Sequence, residues 1–580
     1  MLAGRILTIW LSLASVLVAL SPEQRIHDFQ NLAALYAKRY APYEWKRQLS
    51  GFDLMDIASW LDRVRAAKDD LEFYEICAEY VARLDDLHSW YRVPSSFTAD
   101  LNFTVDIYDN KVLIDSVNRQ MLPVSEYPFE IGDELVSVDG KTVEELITEF
   151  GRFRQRGNPL TTRRGNADLI TFRQQSVIPR AVELGETAAV EIRRANRDLQ
   201  IFAIPWTKTG VPLTSVGPVP SPRTTARSSE SMAAEPEYMR PLVEMRNWSL
   251  PQDDHLLQGT TWSEEAQAEV PRRYVLGYGS ARPVFRSGFP SNFVQRLGNS
   301  PTDFHFTGTY QSEGVRIGYI RFRNFSPNMQ LAIQELEREV QFFEQNTDGV
   351  VVDVMRNTGG GCYMLDAAAR LIPYPFYFFG EEIRATLDRL NSLQFAIEAA
   401  RRARAEQWII DTYSFYLEQL TQAYRENRGR TGAIPGCTQF LSTAPATSEN
   451  HPRPVVYTKP MIILVDEFST SAGDIFPSML QDNKRGPLVG TRTNGAGGSV
   501  SLWSAGLYSE ASSSNTNTLV VRKEPITADG YPTAPYIENT GAHADVRLDY
   551  MSRENLMSGG RQFVEAFTRV LVEHVKTAGK

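Results

Sequence analysis

Met461–Leu480 reads MIILVDEFSTSAGDIFPSML, and this stretch decides the fold. MIILV is an unbroken apolar run of strand length, the pattern of a strand covered on both faces. Acidic and small residues follow, and from Ala472 to Gln481 the apolar positions return at helical spacing. A buried strand that turns sharply into a helix belongs to an α/β layer fold with a parallel sheet. Ser471 sits on the turn. A serine there holds its Oγ at the carboxyl edge of the sheet, and the N–H of Ala472 opens the helix and faces any oxyanion formed beside it. SxSxG approaches the GxSxG elbow of hydrolases, with Ser469 in place of the first glycine. Taken alone, the segment fits a plain helix cap equally well. Asp474 in the first helical turn is a candidate supporting acid, although a carboxylate that complements the helix dipole is the simpler reading.

Working outward, GVVVDVM (349–355) is a second buried strand, and it runs into RNTGGG (356–361). Glycine lets backbone N–H groups face a ligand. Gly359 or Gly360 is therefore the candidate second oxyanion donor. No GK[ST] follows, which disfavours a phosphate loop. VRIGYIRF (315–322) is a further strand, and Met329, Ile333, Leu336, Val340 and Phe343 line one helix face. Beyond Leu480 come the strand PLVG (487–490) and a final helix, 562–575. A charged amphipathic helical insertion over 381–430 interrupts an α/β core that spans 313–580.

Residues 22–98 carry helical periodicity, strongest from Trp60 to Leu84, and end in DDLHSWY. Residues 99–208 have strand texture. TVDIYDNKVLIDSV reads as a hairpin turning at Asp109-Asn110, IGDELVSVDGKTVEEL as two strand pieces around Asp139-Gly140 and a short helix, and VEIRRANRDLQIFAI as another hairpin. Residues 209–312 open with prolines 212, 218, 220, 222 and 236 among Ser, Thr and Arg, the composition of a linker or exposed regulatory insert. Such a stretch is open to proteolysis.

With 580 residues, 42% of them hydrophobic, the chain has apolar material for two to four domains. A net charge of −9 supplies no polyanion-binding surface, so no nucleic acid partner is expected. Arg5 followed by the apolar run Ile6–Leu20 has the form of a signal peptide, 1–21, and places the mature protein outside the cytoplasm with no stable membrane insertion. Cys77, Cys362 and Cys437 form no CxxC pair, so neither structural zinc nor disulfide stapling is expected, and Cys362 reads as a small buried hydrophobe. No metal or organic cofactor is called for.

A nucleophilic serine needs a base, and the chain offers His27, His88, His255, His305, His451, His543 and His574. His88 gains from its polar turn after a helix, and His543 in NTGAHADV is its rival. Glu538 is a candidate to orient the imidazole.

GYIRFRNFS, GVVVDVMRNTGGG and ILVDEFSTSAGDIFPSMLQDNKRGPLVGTRTNGAGG stand in the order and spacing of the tail-specific (C-terminal processing) peptidases, and IGDELVSVDG resembles their PDZ module. The lysine base of the Ser/Lys branch would fall at Ala496, which excludes lysine catalysis there. The pattern instead resembles the Ser-His-Glu branch, whose histidine and glutamate positions match His88 and Glu538. YAPYEWKRQLSGFDL, RLDDLHSWY, GTRTNGAGGSV and YIENTGA are also similar to the chlamydial protease-like activity factors.

The resemblance implies an α/β multidomain protein: an N-terminal helical region, a PDZ-like β-rich domain and a core of the ClpP/crotonase type. It further implies a secreted homodimeric endopeptidase acting on protein substrates, restrained by its central insert. The rival readings are an inactive PDZ scaffold and an acyl-ester hydrolase. MLPVSEYPFEIGDE lacks a glycine-rich carboxylate loop, so capture of substrates by their C-termini is not expected of the PDZ-like module.

Overall fold

The structure, a computed structural model, describes residues 19–213, 238, 285–300, 302–326, 329–438, 442–447, 454–528 and 530–578. The apolar run assigned to a signal peptide lies almost wholly outside the described residues, as does most of 209–312.

A seven-stranded sheet forms the centre, in the order Val294–Leu297, His305–Ser312, Val315–Phe322, Gly349–Asp353, Met461–Val465, Leu488–Gly490 and Val546–Arg547. The first three strands are antiparallel and the rest parallel. The β-branched run at 349–353 behaves as its composition requires. Val350 and Val352 pack on one face with the helices Met329–Asn346 and Ala472–Asp482, while Val351 packs on the other with the helix Arg561–Ala578. The parallel strands carry their loops to one carboxyl edge, where ligands bind in open α/β sheets.

The N-terminal helices Pro22–Arg39, Tyr43–Ser50, Ala58–Ala66 and Asp70–Ala82 pack around Phe29, Tyr36, Tyr74 and Tyr80. The periodic stretch from Trp60 is two helices, because Asp69 caps a new one by accepting from Glu72 N–H. Residues 103–205 form a separate sheet with its own core. Its first hairpin turns at Asp109 and Asn110, both at positive φ (49° and 63°), as a tight two-residue turn demands.

Three sequence readings need correction. The core sheet begins before residue 313: Val294–Leu297 is its edge strand and His305–Ser312 lies next to it, between that edge and Val315–Phe322, within the span 209–312 that composition reads as a linker or regulatory insert. Their alternation is masked by glycine, asparagine and proline nearby. The insertion over 381–430 is not wholly helical. Gly380–Ile383 pairs with Thr518–Ile526, and only Leu387–Arg402 and Gln407–Arg425 are helices. Third, Cys362 and Cys437 form a disulfide across 75 residues, leaving Cys77 as the buried free thiol. Spacing alone hid this pair, because the fold, not the chain, brings the two together. No helix among the described residues is long and apolar enough to cross a membrane.

Candidate active site

Ser471 lies between the strand Met461–Val465 and the helix Ala472–Asp482, with φ 56° and ψ −121°. A non-glycine residue in that region is strained, and such strain concentrates at functional positions. It excludes the plain-cap reading, since Ser471 makes no side-chain cap bond. A Cβ placed on Gly359 would stand 2.6 Å from Ser471 Cβ and 3.1 Å from Ala472 N, so the glycine loop lies directly against the serine. Gly359 and Gly360 have φ of 86° and 142°, conformations that side chains rarely adopt. Asn357 holds the two turns together. Its Oδ1 accepts from Gly359 N–H (2.8 Å), its carbonyl accepts from Thr470 N–H (2.9 Å) and its Nδ2 donates to Phe322 O (2.7 Å). The Gly359 amide is thus engaged within the loop, whereas Gly360 N–H makes no hydrogen bond among the described residues.

Asp474 does more than complement a dipole. Buried in the first turn, it accepts from Gly495 N–H (2.7 Å) and Ala496 N–H (3.1 Å) and fixes the loop where a lysine base would otherwise sit. Burial pushes its carboxyl up to about 6. The next amide in that loop, Gly497 N–H, donates to Glu538 Oε2 at 3.0 Å.

His88 and Glu538 are both fully buried. The His88 turn is held by Asp86 Oδ1, which accepts from His88 N–H (2.8 Å), and by Ser514 Oγ, which donates to His88 O (2.5 Å). Neither imidazole nitrogen has a hydrogen-bond partner. The structure therefore makes neither a Ser471–His88 nor a His88–Glu538 hydrogen bond. Burial brings the imidazole down to about 4; Asp86 opposes this and Lys46 adds to it. Burial and Asp86 push the Glu538 carboxyl up, while Lys46, whose Nζ stands 2.5 Å from Oε1, pulls it back toward the carboxylate. Burial pulls the Lys46 ammonium down, but Glu538, Asp86 and Asp85 outweigh it and keep it protonated.

The other histidines within the described residues are placed differently. His305 is satisfied by Glu335 and Tyr363, each at 2.7 Å. His543 offers its carbonyl to Gln481. His255 and His451 lie outside the described residues. Sequence reasoning missed Lys46, Asp86 and Asn357. A lysine on an amphipathic helix reads as solvated, and no spacing rule links these residues to Ser471. No group of His, Cys, Asp and Glu among the described residues could hold a metal ion.

The β-rich region also reaches this site. Arg164 pairs with Asp106 (2.6 Å) and with Glu467 (2.5 Å), four residues before Ser471, and Thr161 Oγ1 donates to Glu467 O.

Residues 316–505 match the model of peptidase family S41, and residues 97–212 match that of a PDZ domain. A protein of Chlamydia trachomatis is 23% identical over 96% of this chain and 93% of its own length. The carboxyl-terminal-processing protease of Synechocystis sp. is 26% identical over 32% of this chain and 29% of its own. The crystal structure of mature CPAF superposes with a TM-score of 0.70 at 18% identity, covering 96% of this chain and 99% of that one, a likeness of fold. The chain is a serine-type peptidase, with a PDZ domain followed by a catalytic domain of peptidase family S41.

Proposed function

We propose that the chain is an exported serine endopeptidase that cleaves protein substrates through an acyl-enzyme on Ser471. His88 takes the Ser471 proton as Oγ attacks the peptide carbonyl. Amides of Ala472 and of Gly360 or Gly359 hold the oxyanion. As the C–N bond breaks, His88 returns the proton to the leaving amine, and water releases the acyl group by the same route. Glu538 orients the imidazole. Asp474 is a positioning residue for the loop that meets Glu538.

The observation that carries this reading is the strained Ser471 backbone, packed against a glycine loop and opening a helix. The neutral, buried His88 supports the role of base. Its partnerless nitrogens favour a latent conformation that closes on activation, consistent with processing within 209–312. Export is supported by the apolar N-terminal run and the disulfide, a bond that persists in oxidising compartments. A homodimer follows from the resemblance alone, and light scattering of the purified chain tests it.

The deciding experiment compares casein cleavage by wild type and Ser471→Ala, with intact-mass analysis of both chains. Cleavage by wild type alone, with cuts in 209–312, supports nucleophile and maturation together. Equal cleavage by both removes Ser471 from the mechanism. An ester cleaved while every peptide is spared would favour the acyl-ester hydrolase, and no turnover at all a latent zymogen or the scaffold.

A further inference from the structure

Lys46 lies on the helix Tyr43–Ser50 with its side chain only 4% exposed. A buried ammonium is retained only where it is paired, and a methionine would pack the same stem without that cost. The partners of Lys46 are specific. Its Nζ is 2.5 Å from Glu538 Oε1 and donates to Asp85 O at 2.6 Å. Its neighbour Trp45 donates from Nε1 to Glu538 O at 3.0 Å. Two consecutive residues of one helix thus hold the side chain and the main chain of Glu538. Asp85 begins the turn that ends in His88, and it sits at φ 47°. Asn539 Nδ2 closes the same seam by donating to Asp85 O at 3.0 Å.

The far carboxylate oxygen is fixed by Gly497 N–H at 3.0 Å. With Gly497 N–H donating to one oxygen and the Lys46 ammonium in ion-pair contact with the other, Glu538 has its plane set and still keeps lone pairs for an imidazole N–H. The same ammonium faces His88 and Asp86 across the turn. It therefore disfavours imidazolium and helps to keep His88 neutral, the form that can accept a proton.

We propose that Lys46 is a positioning residue of the catalytic centre, its ammonium clamping the turn that carries His88 to the turn that carries Glu538. This rests on the Ser471–His88–Glu538 reading above. Lys46 acts through those two residues and takes no proton from the nucleophile.

The test uses the full chain as wild type, Lys46→Met, Glu538→Gln, the double variant and His88→Ala. It measures kcat and KM on a fluorogenic peptide, the rate of Ser471 labelling by a fluorophosphonate, and the pH profile. Lys46→Met should lower kcat about 100-fold with KM within about twofold, the signature of lost positioning. The loss should be much smaller in the residual activity of the Glu538→Gln background, where Lys46 has no carboxylate to pair with. The acid limb should move up by about one pH unit, because a positive charge facing the imidazole is gone. If Lys46→Met does not fold, Lys46→Gln replaces it, keeping a donor and removing the charge, with the same limb shift and at least a tenfold loss in kcat expected.

Activity within about threefold of wild type and an unmoved limb in the folded variant, with His88→Ala inert and Glu538→Gln impaired, would overturn this inference alone. Full activity of His88→Ala would instead overturn the triad on which it rests.

Discussion

The two halves of the candidate centre are built differently. The nucleophile half comes from neighbouring strands of one sheet: Ser471 follows Met461–Val465, Gly359 follows Gly349–Asp353, and Asn357 ties the two turns. The base half is assembled from three distant segments tied together by side-chain donors, with Lys46, His88 and Glu538 on different elements. It contains both a buried ion pair and an imidazole with no hydrogen-bond partner. A sheet edge positions a nucleophile at no extra cost. A base brought from another layer needs its own fastenings, and those are where activity can be withheld.

The predictions test this contrast. His88→Ala should abolish turnover by about 10⁴-fold yet leave Ser471 folded at its turn. Circular dichroism and a melting curve close to wild type, with casein cleavage lost, would bear that out; a collapsed fold would show that the halves are not separable. Cys437→Ser should cost about 4 kcal/mol by opening a 75-residue loop. Urea unfolding of the oxidised and substituted chains measures it, and equal midpoints would refute it. Gly359→Ala should lower kcat by about 10²–10³-fold, the scale of losing an oxyanion contact. Its new methyl would stand 2.6 Å from Ser471 Cβ at a φ of 86°. Steady-state kinetics with unchanged kcat would exclude this loop from the oxyanion hole.

The smallest effect is in pH. His88 sits near 4 in the fold, against about 6.5 unfolded. The folded pKa is depressed, so the unfolded chain binds more protons between those values. The stability held by the neutral imidazole is present above about pH 6.5 and is lost as pH falls through 4, about 3 kcal/mol in all. The difference in unfolding free energy between wild type and His88→Gln should follow that window, and parallel pH profiles would contradict it. The acid limb of kcat/KM should likewise lie below that of an ordinary imidazole.

Legibility in the sequence followed the same division. Ser471, Gly359 and Gly360 are local signals, each a buried strand running into small residues, and the structure sets Gly359 directly against Ser471. The hairpin at Asp109-Asn110 and the final helix were equally local. His88 and Glu538 are local candidates that only the family resemblance raises above their rivals, because nothing in DDLHSWY or APYIENTGA states where either will lie. Lys46 gave no signal, since burial of a helix face by a remote loop cannot be inferred from helical spacing. The disulfide failed for the same reason. Cys362 follows the glycine loop and Cys437 lies beyond a helical hairpin, and only the closed fold makes them neighbours. The strands at 294–297 and 305–312 are hidden by composition, because glycine, asparagine and proline around them mask their alternation.

The Cys362–Cys437 bridge has one more consequence, for how the molecule ages. Everything from Tyr363 to Gly436, including both helices of the hairpin, lies inside a covalently closed ring. A single cut in that ring, by the enzyme's own hand or another's, severs the backbone without dividing the particle. The nicked chain would run as one band on a non-reducing gel and as two after thiol treatment. Molecules damaged there would stay assembled for as long as their surroundings remain oxidising.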